Sequence, residues 1–317
     1  MESKILFEDT DYKFGCHVAQ SLDPLSTFQR NYCSPLRGWQ VGIFSKFQSQ
    51  KSIPNLVEAK NYLERRNRYC YTHCGFYTNL ATSDSSSLEK YRQQTINQMD
   101  YCTIMGSRFV QHFGSNPDKE AGIQTMIRSV NDLLSTPCKT TEKVSKVSGI
   151  DLLNTREVVL ENMAGQGSQI GCSLGEMARV FKGVKDNLKP RVKFCIDTAH
   201  IFAYGEYDFG DPDSFDQFLS DFDDQIGLDH LECFHFNDSK VKAGSRVDRH
   251  QLMGEGYIFD ENDKDRLSGL NHFLEKCHEE KWPFIYEPPS GGSDRNQEIR
   301  DCWLLLNQVC DIETCWC

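Results

Sequence analysis

The sequence predicts an α/β protein folded as one closed (β/α)8 TIM barrel. Short apolar, β-branched or aromatic runs alternate with longer segments of helical periodicity, the mark of repeated βα units around a parallel sheet. Eight such runs can be counted, enough for a ring of strands to close. The chain of 317 residues has the length of one barrel and no Pro/Gly/Ser-rich linker, so a single domain over 1–317 is expected.

The strands are expected at Phe14–Val18, Trp39–Phe44, Arg68–Thr72, Arg108–Phe113, Val158–Asn162, Val192–Asp197, Glu232–Asn237 and Pro283–Glu287. Helices are expected between them at Ile53–Arg66, Leu88–Met105, Gly122–Leu134, Ser173–Val184, Ser214–Phe222 and Leu267–Lys281. A last helix, about Asn296–Val309, packs outside the barrel. The Ser/Thr/Lys-rich stretch Ser135–Ser148 and the segment Asp260–Asp265 read as solvated loops.

Composition narrows the class. With 38% hydrophobic and 26% charged residues, and no apolar run long enough to span a bilayer, the chain does not read as a membrane protein. Its first dozen residues carry acidic groups and only the short apolar stretch Ile5–Phe7, which fits no secretory or mitochondrial leader. An intracellular protein of cytoplasm or nucleus is expected. Several of the 14 cysteines, among them Cys70, Cys195 and Cys233, lie in apolar runs and read as small buried hydrophobes. No CxxC pair occurs, which argues against a cysteine zinc finger. The net charge of -11 argues against holding nucleic acid by overall basicity. That objection weakens if the site gathers several divalent cations.

The chemistry shows in where His, Asp and Glu fall. His73 follows the third strand, His112 lies in the fourth and Glu161 near the end of the fifth. Asp197 ends the sixth, with His200 just beyond. His235 lies in the seventh, Asp248 and His250 in the next loop, and Glu287 ends the eighth. All fall at carboxyl ends or in the loops that follow, where barrels build their sites. An isolated histidine in an apolar run, such as His112 or His235, is usually a hydrogen-bonded core residue; the shared position argues otherwise. His17, His230, His272 and His278 do not join the set on sequence grounds. Imidazole and carboxylate suit zinc, and this many ligands exceed what one tetrahedral ion uses, so two or three metals are implied. Closely spaced metals serve phosphoryl chemistry. The run Glu161–Gly167 fits neither a dinucleotide nor a P-loop pattern; its glycines read as a tight turn that leaves Glu161 aimed inward.

These residues resemble the endonuclease IV family of apurinic/apyrimidinic endonucleases, xylose isomerase-like barrels. The resemblance runs from Gly15-Cys16-His17-Val18 to Glu287-Pro288-Pro289. Its most specific stretches are Glu161–Gly167, Cys195–His200, His235–Lys240, and Asp248-Arg249-His250 followed by Gly254-Glu255-Gly256. The resemblance implies three zinc ions per chain: one on His73, His112 and Glu161; one on Glu161, Asp197, His235 and Glu287; one on His200, Asp248 and His250. It places Glu161, Glu287 and His112 in catalysis. The implied reaction is hydrolysis 5′ to an abasic site in duplex DNA, leaving a 3′-hydroxyl and a 5′-deoxyribose phosphate, in base excision repair, with 3′-end trimming left open. Phe76 and Tyr77 match positions that enter the DNA stack, though barrel-rim packing is their plainer reading. Phe113 stands where proline is common, Met163 where threonine is usual, and Ser49 where an arginine helps the DNA bend; Gln48 and Lys51 are the candidates to replace it. A Cys16–Cys33 disulfide is not expected. A monomer is expected, with no membrane partner. The alternatives are a metal-dependent sugar isomerase or epimerase on the same barrel and a non-catalytic binder of damaged DNA. The His200, Asp248 and His250 set, with the run Asn237–Lys240, favours the nuclease.

Overall fold

The strands β1 (Phe14–His17), β2 (Gly38–Gly42), β3 (Tyr69–His73), β4 (Arg108–His112), β5 (Val158–Glu161), β6 (Val192–Asp197), β7 (Leu231–His235) and β10 (Phe284–Tyr286) coincide with the eight apolar runs. Each pairs in parallel with its neighbours, and the ring closes in the order β1-β10-β7-β6-β5-β4-β3-β2. A small antiparallel pair, β8 (Asp238–Ser239) and β9 (His250–Gln251), stands apart from the ring. The computed structural model describes residues 13–18, 23–31, 37–42, 48–75, 78–289 and 295–310.

Several strands end sooner than expected because side chains take over from the ladder. The backbone N–H of Asn237 donates to Thr198 Oγ1 at 2.9 Å, and Asn162 Oδ1 receives the N–H of Asp197 at 2.7 Å. Both asparagines therefore turn out of the sheet at the carboxyl rim.

The helices are α1 (Pro24–Arg30), α2 (Ile53–Arg65), α3 (Ser85–Met105), α4 (Lys119–Ser135), α5 (Thr141–Ser148), α6 (Leu152–Thr155), α7 (Leu174–Lys182), α8 (Thr198–Tyr204), α9 (Pro212–Gln225), α10 (Lys264–Glu279) and α11 (Arg295–Cys310). Most begin at an aspartate or serine whose side chain caps the first turn, as Asp84, Asp118, Ser173 and Asp263 do. One expectation is corrected: the Ser/Thr/Lys-rich stretch is not all loop, since Thr141–Ser148 forms α5. Its Thr141 and Val144 are buried, and Thr141 Oγ1 donates to the buried Asp100 carboxylate at 2.5 Å. Tertiary anchoring overrides weak helix propensity there.

Inside the ring, Tyr71, Val110, Val159, Cys195, Cys233 and Ile285 pack as one layer, a filled barrel core. The larger apolar cluster lies between strands and helices. Cys70, Cys195 and Cys233 are buried free thiols, as is Cys16; Cys33 lies outside the described residues. Among the described residues no helix is long and apolar enough to cross a membrane.

Candidate metal centre

Side chains along a strand alternate between faces, so the residue two positions after an inward-facing one also points inward, one layer higher. Applied to the interior layer, that step leads from Tyr71 to His73, Val110 to His112, Val159 to Glu161, Cys195 to Asp197, Cys233 to His235 and Ile285 to Glu287. Six strands thus deliver six polar groups to one level at the carboxyl end. Of the other three, one arrives on a helix and two from the β8–β9 hairpin. Asp197 caps α8 by accepting the His200 N–H at 3.0 Å, which sets His200 one turn along. Asp248 comes from the segment between β8 and β9, and His250 opens β9. The buried Asp238 of β8 holds the turn that follows β9: its carboxylate accepts the N–H groups of Ser239, Gly254, Gly256 and Ile258 at 2.8 to 3.2 Å. Gly256 has to be glycine: a Cβ there would sit 2.3 Å from Asp238 Oδ1.

Glu161 lies at the middle, 1% exposed. Its Oε2 stands 2.8 Å from His73 Nε2 and 3.1 Å from His112 Nε2; its Oε1 is 2.9 Å from His235 Nδ1 and 3.7 Å from His200 Nδ1. The Asp248 carboxylate bridges His200 Nε2 at 3.2 Å and His250 Nε2 at 3.3 Å. Asp197 Oδ2 lies 3.7 Å from His250 and 3.9 Å from His235, and Glu287 Oε2 is 3.5 Å from His235 Nδ1. All nine residues expected to be ligands therefore converge. A cavity of about 390 Å³ opens onto His73, His112, Glu161, His200, Asp248 and Glu287.

The electrostatics follow from this crowding. Burial pushes the Glu161 carboxyl up, yet the imidazoles of His112, His235 and His73 outweigh it and hold the group well below the usual carboxylate range. Burial likewise pushes the histidines down, and neighbouring carboxylates reverse it: Glu161 raises His73 well above its ordinary value, and Asp197 and Asp248 do the same for His200. His235, facing Glu161 and Glu287, is raised to about 9. Such a set holds either protons or cations between its donors. Several triads have donor atoms mutually within 4.8 Å, among them His73, His112 and Glu161; Glu161, Asp197 and His235; and Asp197, His200 and His250. His250 Nε2 is buried and makes no hydrogen bond, its 3.3 Å approach to Asp248 Oδ1 being an ion-pair contact only. Nitrogen and carboxylate donors at this spacing fit zinc.

Around the donors stands a layer of neutral amides. Gln40 Oε1 accepts from His235 Nε2 at 2.7 Å, while its Nε2 donates to Glu287 Oε1 at 2.5 Å and lies 3.2 Å from His17 Nδ1. Asn237 Nδ2 donates to Asp197 Oδ2 at 2.8 Å and to Glu287 Oε2 at 3.0 Å. His200 Nδ1 donates to the Asn162 carbonyl at 2.9 Å. Sequence reasoning missed these amides, and it left out His17, which lines the cavity with its Nδ1 3.7 Å from Glu287. His17 ends β1, so the rule that found the others was available for it.

Phe76 and Tyr77 lie outside the described residues. Gln48 does not line this cavity; its Oε1 accepts from Asn97 on α3 at 3.0 Å, in a separate cleft beside Lys139. Phe113 fits in place of a proline because its buried ring lies against Gly171, where a Cβ would come within 2.1 Å of it. His230 and His272 make contacts away from the cluster, to the Val192 carbonyl and to Asp216.

An eight-stranded parallel ring carrying a multi-histidine, multi-carboxylate cluster at its carboxyl end defines a xylose isomerase-like barrel, and a family model of that description matches residues 37–264. The probable endonuclease 4 of Thermoplasma acidophilum is 35% identical over 264 residues, covering 81% of this chain and 82% of the relative. That of Halothermothrix orenii is 32% identical over 308 residues, covering 93% of each. The chain belongs to the endonuclease IV family. Among solved structures, endonuclease IV from Thermus thermophilus superposes with a TM-score of 0.67 at 21% identity, over 93% of this chain and 99% of that one. A D-tagatose 3-epimerase-like protein does so with 0.64 at 17% identity, over 94% and 98%. At such identities the superpositions speak to the fold alone.

Proposed function

We propose that the chain is a DNA-repair endonuclease that uses three zinc ions to hydrolyse the phosphodiester 5′ to an abasic site, leaving a 3′-hydroxyl and a 5′-deoxyribose phosphate in base excision repair. The carrying observation is the convergence of nine His, Asp and Glu side chains at the carboxyl end, far more than one ion needs. Family membership supports the nuclease reading over a sugar epimerase, which shares only the fold. In this reading His73, His112 and Glu161 hold one ion. Glu161, Asp197, His235 and Glu287 hold a second, and His200, Asp248 and His250 a third. Bound there, zinc supplies a water activated near neutral pH and positive charge for the phosphate oxygens.

The chain's own residues do the rest. Glu161, whose two oxygens face different histidines, would serve two of the ion sites; Gln40 and Asn237 hold Glu287 and Asp197 in place. Substrate binding needs local positive charge on an acidic protein. The segment 240–249, which leads into Asp248 and His250, carries the exposed Lys240, Lys242, Arg246 and Arg249. We assign it to the DNA backbone. Phe76 and Tyr77 remain the candidates to fill the gap left by a displaced abasic nucleotide, whose extrusion costs little stacking. Gln48 would reach DNA only by leaving Asn97.

The test is incision of a labelled duplex with one tetrahydrofuran abasic analogue, before and after prolonged chelation, on protein of measured zinc content. The analogue cannot undergo β-elimination, so a cut must be hydrolytic. The expected result is a single chelator-sensitive cut with a 3′-hydroxyl, three zincs per chain, and loss of cutting in Glu161→Ala. An intact duplex at full zinc loading would turn the assignment toward sugar isomerisation or damage binding without catalysis.

A further inference from the structure

The group of His200, Asp248 and His250 is held differently from the donors on the strands. The Asp248 side chain is 42% exposed, against 18% for His250 and 19% for Glu287, so burial does not fix it. Its place has to come from the chain on either side. After it, His250 is set by the pairing of β9 with β8. Before it, the loop reaches back to α8, the helix that carries His200. The last turn of a helix leaves its carbonyls without intrahelical partners. Here the Phe202 carbonyl accepts the N–H of Gly244 at 3.3 Å and the Ala203 carbonyl that of Arg246 at 2.8 Å. Ala203 stands one helical turn beyond His200, and Arg246 is separated from Asp248 by Val247 alone. The Arg246–Ala203 bond therefore closes a short circuit of chain whose other closure is the 3.2 Å contact between His200 Nε2 and Asp248.

At that junction the backbone is strained. Arg246 has φ 56°, a conformation that favours glycine, yet a long side chain is kept there. The side chain has a partner: its guanidinium carbon lies 5.2 Å from the ring centroid of Tyr204, the last residue of α8. A cation beside the carboxyl end of a helix also meets the negative pole of the helix dipole. Gly165, in the turn after β5, touches both groups, since a Cβ there would come 2.7 Å from Tyr204 Cδ2 and 3.4 Å from Arg246 Cγ. Gly205 lets the loop approach, because a Cβ on it would fall 2.9 Å from Gly244 Cα. The turn after β5, the end of α8 and the loop before β9 thus meet around one aromatic ring.

We propose that Tyr204 and Arg246 form a latch that fastens this loop to α8 and so keeps Asp248 at ligating distance from His200. Both are positioning residues for the third ion and act through Asp248. The proposal rests on the three-zinc reading above. It is compatible with a DNA contact by the same loop, because a guanidinium that stacks by its face keeps its N–H edge for a phosphate.

The test reads zinc affinity, by competition of the zinc-loaded full chain against a chromophoric chelator. Tyr204→Leu keeps an apolar side chain against Gly165 and removes the ring. Arg246→Gly removes the guanidinium and suits the positive φ, so it adds no backbone strain. Each should weaken one ion of the three by roughly three- to tenfold, the worth of a cation–π contact that also orders a loop. The other two ions should keep their parent affinities. Tyr204→Phe retains the aromatic face and should behave as the parent does. Tyr204→Leu combined with Arg246→Gly should lose little more than the weaker single variant, because both delete one contact. Parent affinities in Tyr204→Leu and Arg246→Gly, equal losses in Tyr204→Leu and Tyr204→Phe, or weakening spread over all three ions would overturn the latch and leave the zinc reading standing. A parent that binds fewer than three ions would remove the zinc reading and the latch with it.

Discussion

The amide of Gln40 has one orientation that satisfies its neighbours, with Oε1 toward His235 Nε2 and Nε2 toward Glu287 Oε1. Because the amide oxygen only accepts, His235 Nε2 must carry a proton, and Nδ1 is the nitrogen presented to the cluster. Partners of this kind fix the ring and tautomer of a metal-ligating histidine. Gln40→Leu keeps most of the volume and deletes both hydrogen bonds, so zinc affinity should fall by roughly 10- to 100-fold with the fold intact. Competition against a chromophoric chelator, alongside circular dichroism, measures both; unchanged affinity would leave Gln40 a packing residue. At this scale the sequence was partly legible. Ligand types at strand ends stood out because imidazole and carboxylate are rare in apolar runs. Gln40, Asn162 and Asn237 did not, because a neutral amide carries no mark of its role until its neighbours are placed.

Among the elements, strands were easier to read than what joins them. A strand's burial pattern is local, whereas α5 forms because of distant partners. Asp100 on α3 pairs with Arg156 Nε at 3.1 Å, both side chains fully buried, and Arg156 Nη1 also donates to the carbonyls of Leu133 and Thr136 at the end of α4. That pair joins α3 to the start of β5 and gives Thr141 its anchor. Burial pushes Asp100 up and Arg156 counters it. Arg156→Leu would strand a buried carboxylate and should cost about 3–5 kcal/mol, whereas removing both charges together should cost far less. Urea unfolding of the two variants decides, and equal losses would sink this account. The segment 240–249 makes a separate prediction. If Lys240 and Lys242 bind phosphates, replacing both with serine should weaken DNA binding about equally for every sequence. The salt slope should flatten by about two, one for each phosphate no longer neutralised. An unaltered slope would remove them from the interface.

For the whole molecule, the cluster of histidines and carboxylates should couple stability to pH in opposite ways without zinc and with it. Without metal, carboxylates and imidazoliums hold one another. His235, raised from 6.5 to about 9, contributes stability that is full below pH 6.5 and is lost as pH rises toward 9. His73, His200 and His250 are raised as well and lose their contribution in the same direction. Glu161 and Glu287 are lowered, so their share is present above 4.5 and is lost only as the solution turns acid. The metal-free cluster should therefore support the fold best between about pH 4.5 and 6.5. In the proposed reading zinc would take the place of those protons. Its binding would release them and would strengthen as pH rises through the histidine range. The thermal increment that zinc gives should consequently be larger at pH 8.5 than at pH 6. Calorimetry in two buffers of different ionisation enthalpy should show net proton release, and an increment that shrinks with rising pH, or uptake of protons, would show that the converging residues are held together by something other than a metal-ligand set.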